Sequence, residues 1–486
     1  MRKKVEGLLV LLGKRATTDP FELALYQYDL AAVPALLSRP LFRTLPDVVV
    51  RPSSLEEVSS VLKHAALHRL PVTPRAAAST AYYNAVPTRG GILLDLNGLR
   101  GILRVDRERA TATVMAATRW KELDDELRYK WGLAVKSYPT SAPAATVGGW
   151  FNMEGWGVGS LQHGCMHGQV LRAQAVLPGG EMVELTPNSD PPLSWFAGSE
   201  GTLGVITSLE LSLRPAPEAE CHHLIAFGDF GPLQEAAGTM ASLEPKPYHV
   251  HFADSTFTRV IKRAGFDTGA PLELHLLSVH YQGSRAEVKA AEGLMAGIIR
   301  EKGWKELDRD LANQEWENRF SEIRAKRAGP TLLGAEVMLP VAGLARYVQA
   351  ARGLGHKAGI PIYTYGAVVS PDWCQPNSFF PTDERHARPY LTALGLTKAL
   401  QDRAAPLGGR PYGVGVWNTP YLGRIWTSGV RRERRRRKAR LDPHGILNPG
   451  KLYAPPLLLH KPFFGLGMNV LALLRRLARP AGLGVG

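Results

Sequence analysis

From Pro74 to Thr80 the chain reads PRAAAST, a run of small residues with a backbone N–H at every position after the proline. In a tight loop such N–H groups converge on phosphate oxygens, and small side chains let the phosphate approach. Anion binding is the chemistry these residues predict. Ala76, Ala77 and Ala78 stand where glycines would be expected. Alanine reaches a left-handed backbone only at a cost of about 1–2 kcal/mol. Most of the three are therefore expected at negative φ, or the ligand is held mainly elsewhere. A second segment, PTSAPAATVGGWFNMEGWGVGSLQHG from Pro139 to Gly164, is rich in glycine, as a backbone that turns sharply and is approached by something flat or anionic must be. A third, GSEGTLGVITSLELSLRP, puts Gly201 and Gly204 just ahead of a strand.

Regular elements must hold these loops. The stretch VVVRPSSLEEVSSVLKHAALHRLPVT reads as strand, turn, amphipathic helix and second strand, so the PRAAAST loop sits where a sheet ends. From Pro46 to about Pro217 short β-rich runs alternate with helices and glycines. One helix, WKELDDELRYKW, places Trp120, Leu123, Leu127 and Trp131 at core spacing. Beyond Pro217 longer strand–helix alternations predict a second α+β domain to roughly Gly429. MRKKVEGLLVLLGKR at the start reads as a helix rather than a signal peptide, because its apolar run is short and soon meets Lys14 and Arg15.

The 486 residues carry a formal charge of +15, much of it in RRERRRRKAR at Arg431–Arg440. No zinc-finger, helix-turn-helix or aromatic-stacking signature accompanies that charge, which argues against nucleic acid. Cys165, Cys221 and Cys374 are odd in number and widely spaced, which suits a reducing cytoplasm and predicts neither a disulfide framework nor a metal cluster. No apolar run is long enough to span a bilayer.

The ordered series PDVVVRPSSLEEVSSVL, PVTPR, GGILLDLNGL, TATVMA, TVGG, VLPGGE, GSEGTLGVIT and LDPHGILNPGKLY resembles the vanillyl-alcohol-oxidase superfamily of flavoproteins. It is most similar to the branch of glycolate and D-lactate dehydrogenases and other D-2-hydroxy-acid oxidoreductases. The resemblance implies an α+β fold, with a two-subdomain PCMH-type FAD-binding domain and an α+β cap domain for the substrate. On that basis residues 1–45 form an N-terminal helical segment, 46–217 the FAD-binding domain, 218–429 the cap, 430–458 a return to the FAD domain and 459–486 an amphipathic tail. Carried over residue by residue, Pro74, Arg75, Ala76, Ala77, Ala78, Ser79 and Thr80 would cradle the pyrophosphate. Pro139, Thr146, Gly148 and Gly149 would line the flavin and diphosphate, and Gly204, Val205 and Ile206 would meet the adenosine end or the ring through their backbone. Gly164 corresponds to the glycine of the family's Tyr-Gly step, with His163 in place of the tyrosine; Asn448 and Lys451 of NPGK would lie near the cofactor. Some relatives attach FAD through a histidine in the phosphate loop. None is present here, so noncovalent FAD is expected. Cys165 lies just past the place of a second covalent link in other relatives and reads as a small buried residue.

Hydroxy-acid dehydrogenases of this superfamily carry a histidine-rich metal site in the cap. Here Tyr365-Gly366 and, in PYGVG, Tyr412 stand at the corresponding steps. Phenol does not replace imidazole without changing the metal, so no metal is expected. The implied reaction is hydride transfer from a hydroxyl-bearing carbon of a 2-hydroxy acid or alcohol to flavin N5, with a side chain taking or sharing the hydroxyl proton. Candidates for that work are Tyr365, Tyr412, Glu336 and His386, while Arg319 resembles a family arginine whose fork of donors would bind a carboxylate. Asn418, with Trp417 and Thr419, takes the place of a substrate-binding triplet in phenol-oxidising relatives, whose arginine is missing here. A phenol or aryl-alcohol oxidase and a non-catalytic flavin-fold subunit of an electron-transfer complex stay open. The electron acceptor is O2, a quinone or an electron-transfer protein. In the tail, Phe463, Phe464, Leu466, Met468, Val470, Leu471, Leu473 and Leu474 precede Arg475, Arg476 and Arg479, an order that suits peripheral contact with a membrane, here its cytoplasmic face.

Overall fold

The computed structural model describes residues 2–31, 33, 35–266 and 269–477. The chain forms two compact units. Unit 1 comprises Met1–Trp156, Cys165–Pro215 and Gly413–Lys461; unit 2 comprises Gly157–Gly164, Ala216–Tyr412 and Pro462–Gly486.

Unit 1 has two sheets. In the first, β2 (Val48–Val50) and β3 (Val72–Arg75) run parallel on either side of β4 (Ile92–Asp95), with β1 (Ala16–Thr17) antiparallel at the edge. The strands VVV and ILLD are buried throughout, as continuous apolar strands of a covered parallel sheet should be. The crossover from β2 to β3 is the helix Leu55–His68. Its N-cap Ser54 accepts a hydrogen bond from the Glu57 N–H, and it buries Val58, Val61, Leu62 and Ala65. The helix Arg2–Leu12 adds Val5, Leu8 and Leu12 to the same core. The second sheet is antiparallel around the long β10 (Val205–Pro215), which pairs with β6 (Thr111–Met115), β7 (Leu133–Val135) and β8 (Val170–Val176); β5 (Ile102–Asp106) and β9 (Met182–Leu185) are its edges. The helix Trp120–Trp131 buries Trp120, Leu123 and Leu127, while Trp131 is half-buried where Gly132 turns the chain.

The return to unit 1 starts at Gly413, ahead of the residue 430 expected from sequence. Backbone hydrogen bonds hold it: the Val416 N–H donates to the Tyr82 carbonyl (2.8 Å), the Val72 N–H on β3 donates to the Ile446 carbonyl (2.8 Å), and the Asn448 N–H donates to the Val72 carbonyl (2.7 Å). The arginine run forms the helix Ser428–Leu441, and four of its basic residues are engaged by unit 1 itself. Arg434 donates to the Gly198 carbonyl and lies over Trp426, Arg437 lies over Trp195, Arg440 pairs with Asp190, and Lys438 donates to the carbonyls of Thr202 and Leu447.

Unit 2 is built on one antiparallel sheet of eight strands: β11 (Ala219–Phe227), β12 (His249–Ala253), β13 (His275–Gly283), β14 (Lys305–Glu306), β15 (Thr331–Pro340), β16 (Tyr363–Val368), β17 (Trp373–Thr382) and β18 (Arg410–Pro411), in the order β14-β11-β13-β12-β16-β17-β15-β18. Alternation divides the strand residues between two faces. Ile225, Val250, Phe252, Leu277, Val279, Val337, Leu339 and Val368 pack against the helices Phe230–Ser242, Arg285–Lys302, Leu344–Ala358 and Ala387–Ala404. The opposite face presents His222, His280, His249, His251, Tyr365, Asn377 and Glu336.

Candidate functional site

The PRAAAST loop leaves the end of β3 and forms one wall of a cleft of ≈ 950 Å³ in unit 1. Pro74, Arg75, Ala76, Ala77, Ala78, Ser79, Thr80, Thr146, Gly148, Gly149, Gly204, Val205, Ile206 and Asn448 all line it. Pro139 and Gly164 do not. The Pro139 carbonyl accepts the Ala142 N–H within a turn, and Gly164, at φ +78°, ends the short helix Ser160–His163 in unit 2. Cys165 is half-buried, and burial pushes its thiol up.

Among the described residues, no protein acceptor takes the N–H of Ala76, Ala77, Ala78, Ser79 or Thr80. Five consecutive donors along one cleft wall suit a pyrophosphate. Asn448 adds an orphan: its amide nitrogen donates to the Glu200 carbonyl (2.7 Å), while its buried Oδ1 has no partner. Gly148 lets the opposite wall close, since a Cβ there would lie 2.7 Å from that of Ala116. Arg75 shapes the loop, donating to the carbonyls of Tyr28 (2.7 Å) and Ala85 (3.3 Å).

Of the three alanines only Ala78 has positive φ, +52°. Ala78→Gly is therefore expected to stabilise the protein by about 0.5–1 kcal/mol, the relieved strain less the greater freedom of glycine in the unfolded chain. Ala76→Gly and Ala77→Gly are expected to destabilise by a similar amount. Urea denaturation of the three variants checks the difference in sign.

Beside the cleft lies a buried charge cluster of which the sequence singled out only Lys451. Glu200 accepts the N–H groups of Val414 (3.2 Å) and Gly415 (2.9 Å) and the Asn84 amide. Lys451, fully buried, donates to the Val86 carbonyl (2.6 Å), and Asp29 and Glu200 counter its charge. Burial lowers Lys451 to about 7 and raises Asp29 to about 7.

On the polar face of unit 2, Asn377 is directly opposite both Tyr365 and Glu336, so β16, β17 and β15 bring the three side by side. The Tyr412 N–H donates to the Glu336 carbonyl (3.0 Å). Burial holds the Tyr365 phenol well above its ordinary range, so it is a neutral donor. Arg319 is stacked over Trp316 (4.1 Å) and Phe320 (4.4 Å) and donates to the Trp316 carbonyl. Asn418 belongs to unit 1, where its amide donates to the Gly413 carbonyl (2.9 Å). Trp417 packs there with Phe42 and Tyr83. His386 is exposed near Asp383.

Further along this face His222, His280 and His249 occupy one row across β11, β13 and β12. His251, two residues on, is held by Glu315 at Nδ1 (3.1 Å) and Glu322 at Nε2 (2.9 Å). The alternation His249-x-His251 on a strand was a usable signal. Among the described residues no such group is arranged to hold a metal ion. Burial works against charge on His251, but its two carboxylate partners outweigh it and raise it to about 10. Burial, then repulsion from His280, lowers His222 to about 3.

Between pH 6.5 and about 10 folded His251 keeps a proton that its unfolded form has lost. Its stabilisation is full below pH 6.5 and is lost as pH rises through that window. The Tm of unit 2 is expected to fall from pH 7 to 10, and more steeply than in His251→Gln; calorimetric scans across pH check it.

The family model described as FAD binding domain matches residues 46–186, and the one described as FAD linked oxidases, C-terminal domain, matches residues 216–452. The chain belongs to the FAD-linked oxidase family. FAD is its cofactor. This FAD-linked oxidase is 26% identical over 447 residues to the glycolate oxidase subunit GlcD of Bacillus subtilis, covering 88% of this chain and 92% of that one. It is 24% identical to the mitochondrial D-lactate dehydrogenase [cytochrome] of Arabidopsis thaliana, over 85% of this chain and 74% of the other. Among solved structures, p-cresol methylhydroxylase with substrate bound superposes with a TM-score of 0.79 at 17% identity, over 93% of this chain and 96% of the other, and shares its fold. The free donors of Ala76–Thr80 and the orphan oxygen of Asn448 fit FAD.

Proposed function

We propose that this FAD-linked oxidase takes a hydride from a hydroxyl-bearing carbon of a 2-hydroxy acid or alcohol, with FAD held noncovalently. Bound FAD supplies the hydride acceptor at N5. The chain supplies the N–H cradle of Ala76–Thr80, which binds the cofactor's phosphates. On unit 2, Tyr365 and Asn377 orient the substrate hydroxyl and Glu336 takes its proton, since burial keeps Tyr365 a donor. The side-by-side placement of Tyr365, Asn377 and Glu336 on one sheet face carries this reading, and relatives named for glycolate and D-lactate support it. Anaerobic mixing with a panel of hydroxy acids, alcohols and phenols tests it. Bleaching of the flavin bands by a hydroxy acid or alcohol is expected; bleaching by phenols alone would refute it.

We also propose that the C-terminal helix Lys461–Leu477 lies on an anionic membrane surface. No helix among the described residues is long and apolar enough to cross a membrane. The helix packs on unit 2 through Ala472, whose backbone meets Gly395, and leaves Phe463, Leu466, Val470, Leu473 and Leu474 exposed as a stripe. No acidic residue occurs from His460 onward, and Arg475 and Arg476 follow the stripe; Arg479 lies outside the described residues. Each basic side chain near an anionic surface contributes about 1 kcal/mol. The full chain is expected to sediment with anionic liposomes at low salt, and a chain ending at Tyr453 to stay in the supernatant.

A further inference from the structure

Beside Tyr365, on the same face of unit 2, lies a cavity of ≈ 1190 Å³. About 320 Å³ of that is enclosed space, at the lower end of the range of pockets that take drug-sized ligands, about 300–1,000 Å³, and still more than a two- or three-carbon acid fills. Its floor is the sheet, through Leu224 on β11 and Leu276 on β13; its walls are Ile261, Phe266 and Leu311. The polar residues at its inner end are already matched to one another, His251 lying between Glu315 and Glu322. At the end toward Tyr365, Phe257 lines the cavity with its ring 4.8 Å from that of Tyr365. An apolar chamber thus adjoins the group that orients the substrate hydroxyl.

We infer that this cavity receives an apolar substituent on the substrate's hydroxyl-bearing carbon, an aromatic ring or an aliphatic chain of about five carbons or more. The inference rests on the reading that Tyr365 marks the reacting end. Substrates built like glycolate or lactate would leave the chamber without a partner, whereas each methylene entering it contributes about 0.8 kcal/mol, roughly fourfold. Arg324, exposed at the cavity with its guanidinium 4.3 Å from the centre of the Phe266 ring, and Arg319, which also lines it, add a cationic edge to its apolar walls.

Two series measured on the FAD-loaded protein test this. The first is the rate of anaerobic flavin bleaching by 2-hydroxy acids and primary alcohols of two to eight carbons. The second is calorimetric binding of unreactive straight-chain amides of the same lengths, which needs no turnover. Expected are a kcat/KM at least a hundredfold higher for eight carbons than for three, a parallel fall in amide Kd, and loss of at least tenfold of either preference in Leu311→Trp, which narrows the chamber from the half-buried helix Arg309–Glu317. Bleaching by short substrates with no gain on lengthening overturns the inference, as does amide binding that is absent or independent of length. Tighter amide binding with length but no bleaching by any hydroxyl compound leaves the chamber's role standing and refutes the proposed reaction instead.

Discussion

Glu200→Ala is expected to destabilise unit 1 by about 2–6 kcal/mol, the cost of leaving two buried N–H groups without their acceptor. The carboxylate has two tasks. It takes the N–H groups of Val414 and Gly415, the first residues of the returning segment, and it counters the charge of the fully buried Lys451. Alanine leaves both N–H groups without an acceptor, at about 1–3 kcal/mol each. Asn448, whose amide donates to the Glu200 carbonyl, arrives on the same segment, so FAD retention should fall with stability. Glu200→Gln keeps one acceptor oxygen and is expected to cost about half as much. Urea denaturation gives both values; a loss under 1 kcal/mol for the alanine variant would show that the segment is held in place by other contacts.

The second large effect is on the cofactor. Ala77→Asp places a carboxylate among the free N–H donors of the PRAAAST loop. Two like charges about 4 Å apart repel by about 4 kcal/mol at the effective dielectric of a protein surface, and the loop is half-buried. FAD affinity is expected to fall by about 2–4 kcal/mol, roughly 30- to 1,000-fold. Ala77→Asn has nearly the same size without the charge, so the ratio between the two isolates the electrostatic part. Equilibrium dialysis of the apoprotein against FAD reads both. Equal affinities would mean that the phosphates lie elsewhere in the cleft.

The cleft was legible because most of its residues fall in short contiguous runs. A loop of small residues after a strand announces its donors by type and spacing, and 14 of the residues expected to meet FAD line one cleft. Pro139 and Gly164 lie outside that cleft, since a glycine or proline signals a turn without saying what the turn faces. The Asp29–Glu200–Lys451 cluster was hidden for the opposite reason. Its members are 171 and 251 residues apart along the chain, and nothing in their local sequence marks them as buried. The polar face of unit 2 lies between these cases. Tyr365 and Glu336 were singled out through the resemblance, but Asn377, which joins them, is visible only once β17 is seen to lie between β16 and β15. In the arginine run, aromatic rings and carbonyls distant in sequence engage Arg434, Arg437 and Lys438, contacts that local sequence does not show.

We propose that unit 1 holds FAD without a covalent bond through the backbone N–H groups of Ala76–Thr80. The most direct measurement is the flavin recovered in the supernatant after acid precipitation of wild type and Ala77→Asp, each reconstituted with FAD and desalted. One FAD per chain released from wild type and a small fraction of that from the variant is the expected result. Flavin that stays in the pellet, wild type that takes up none, or a variant that releases as much as wild type would contradict it.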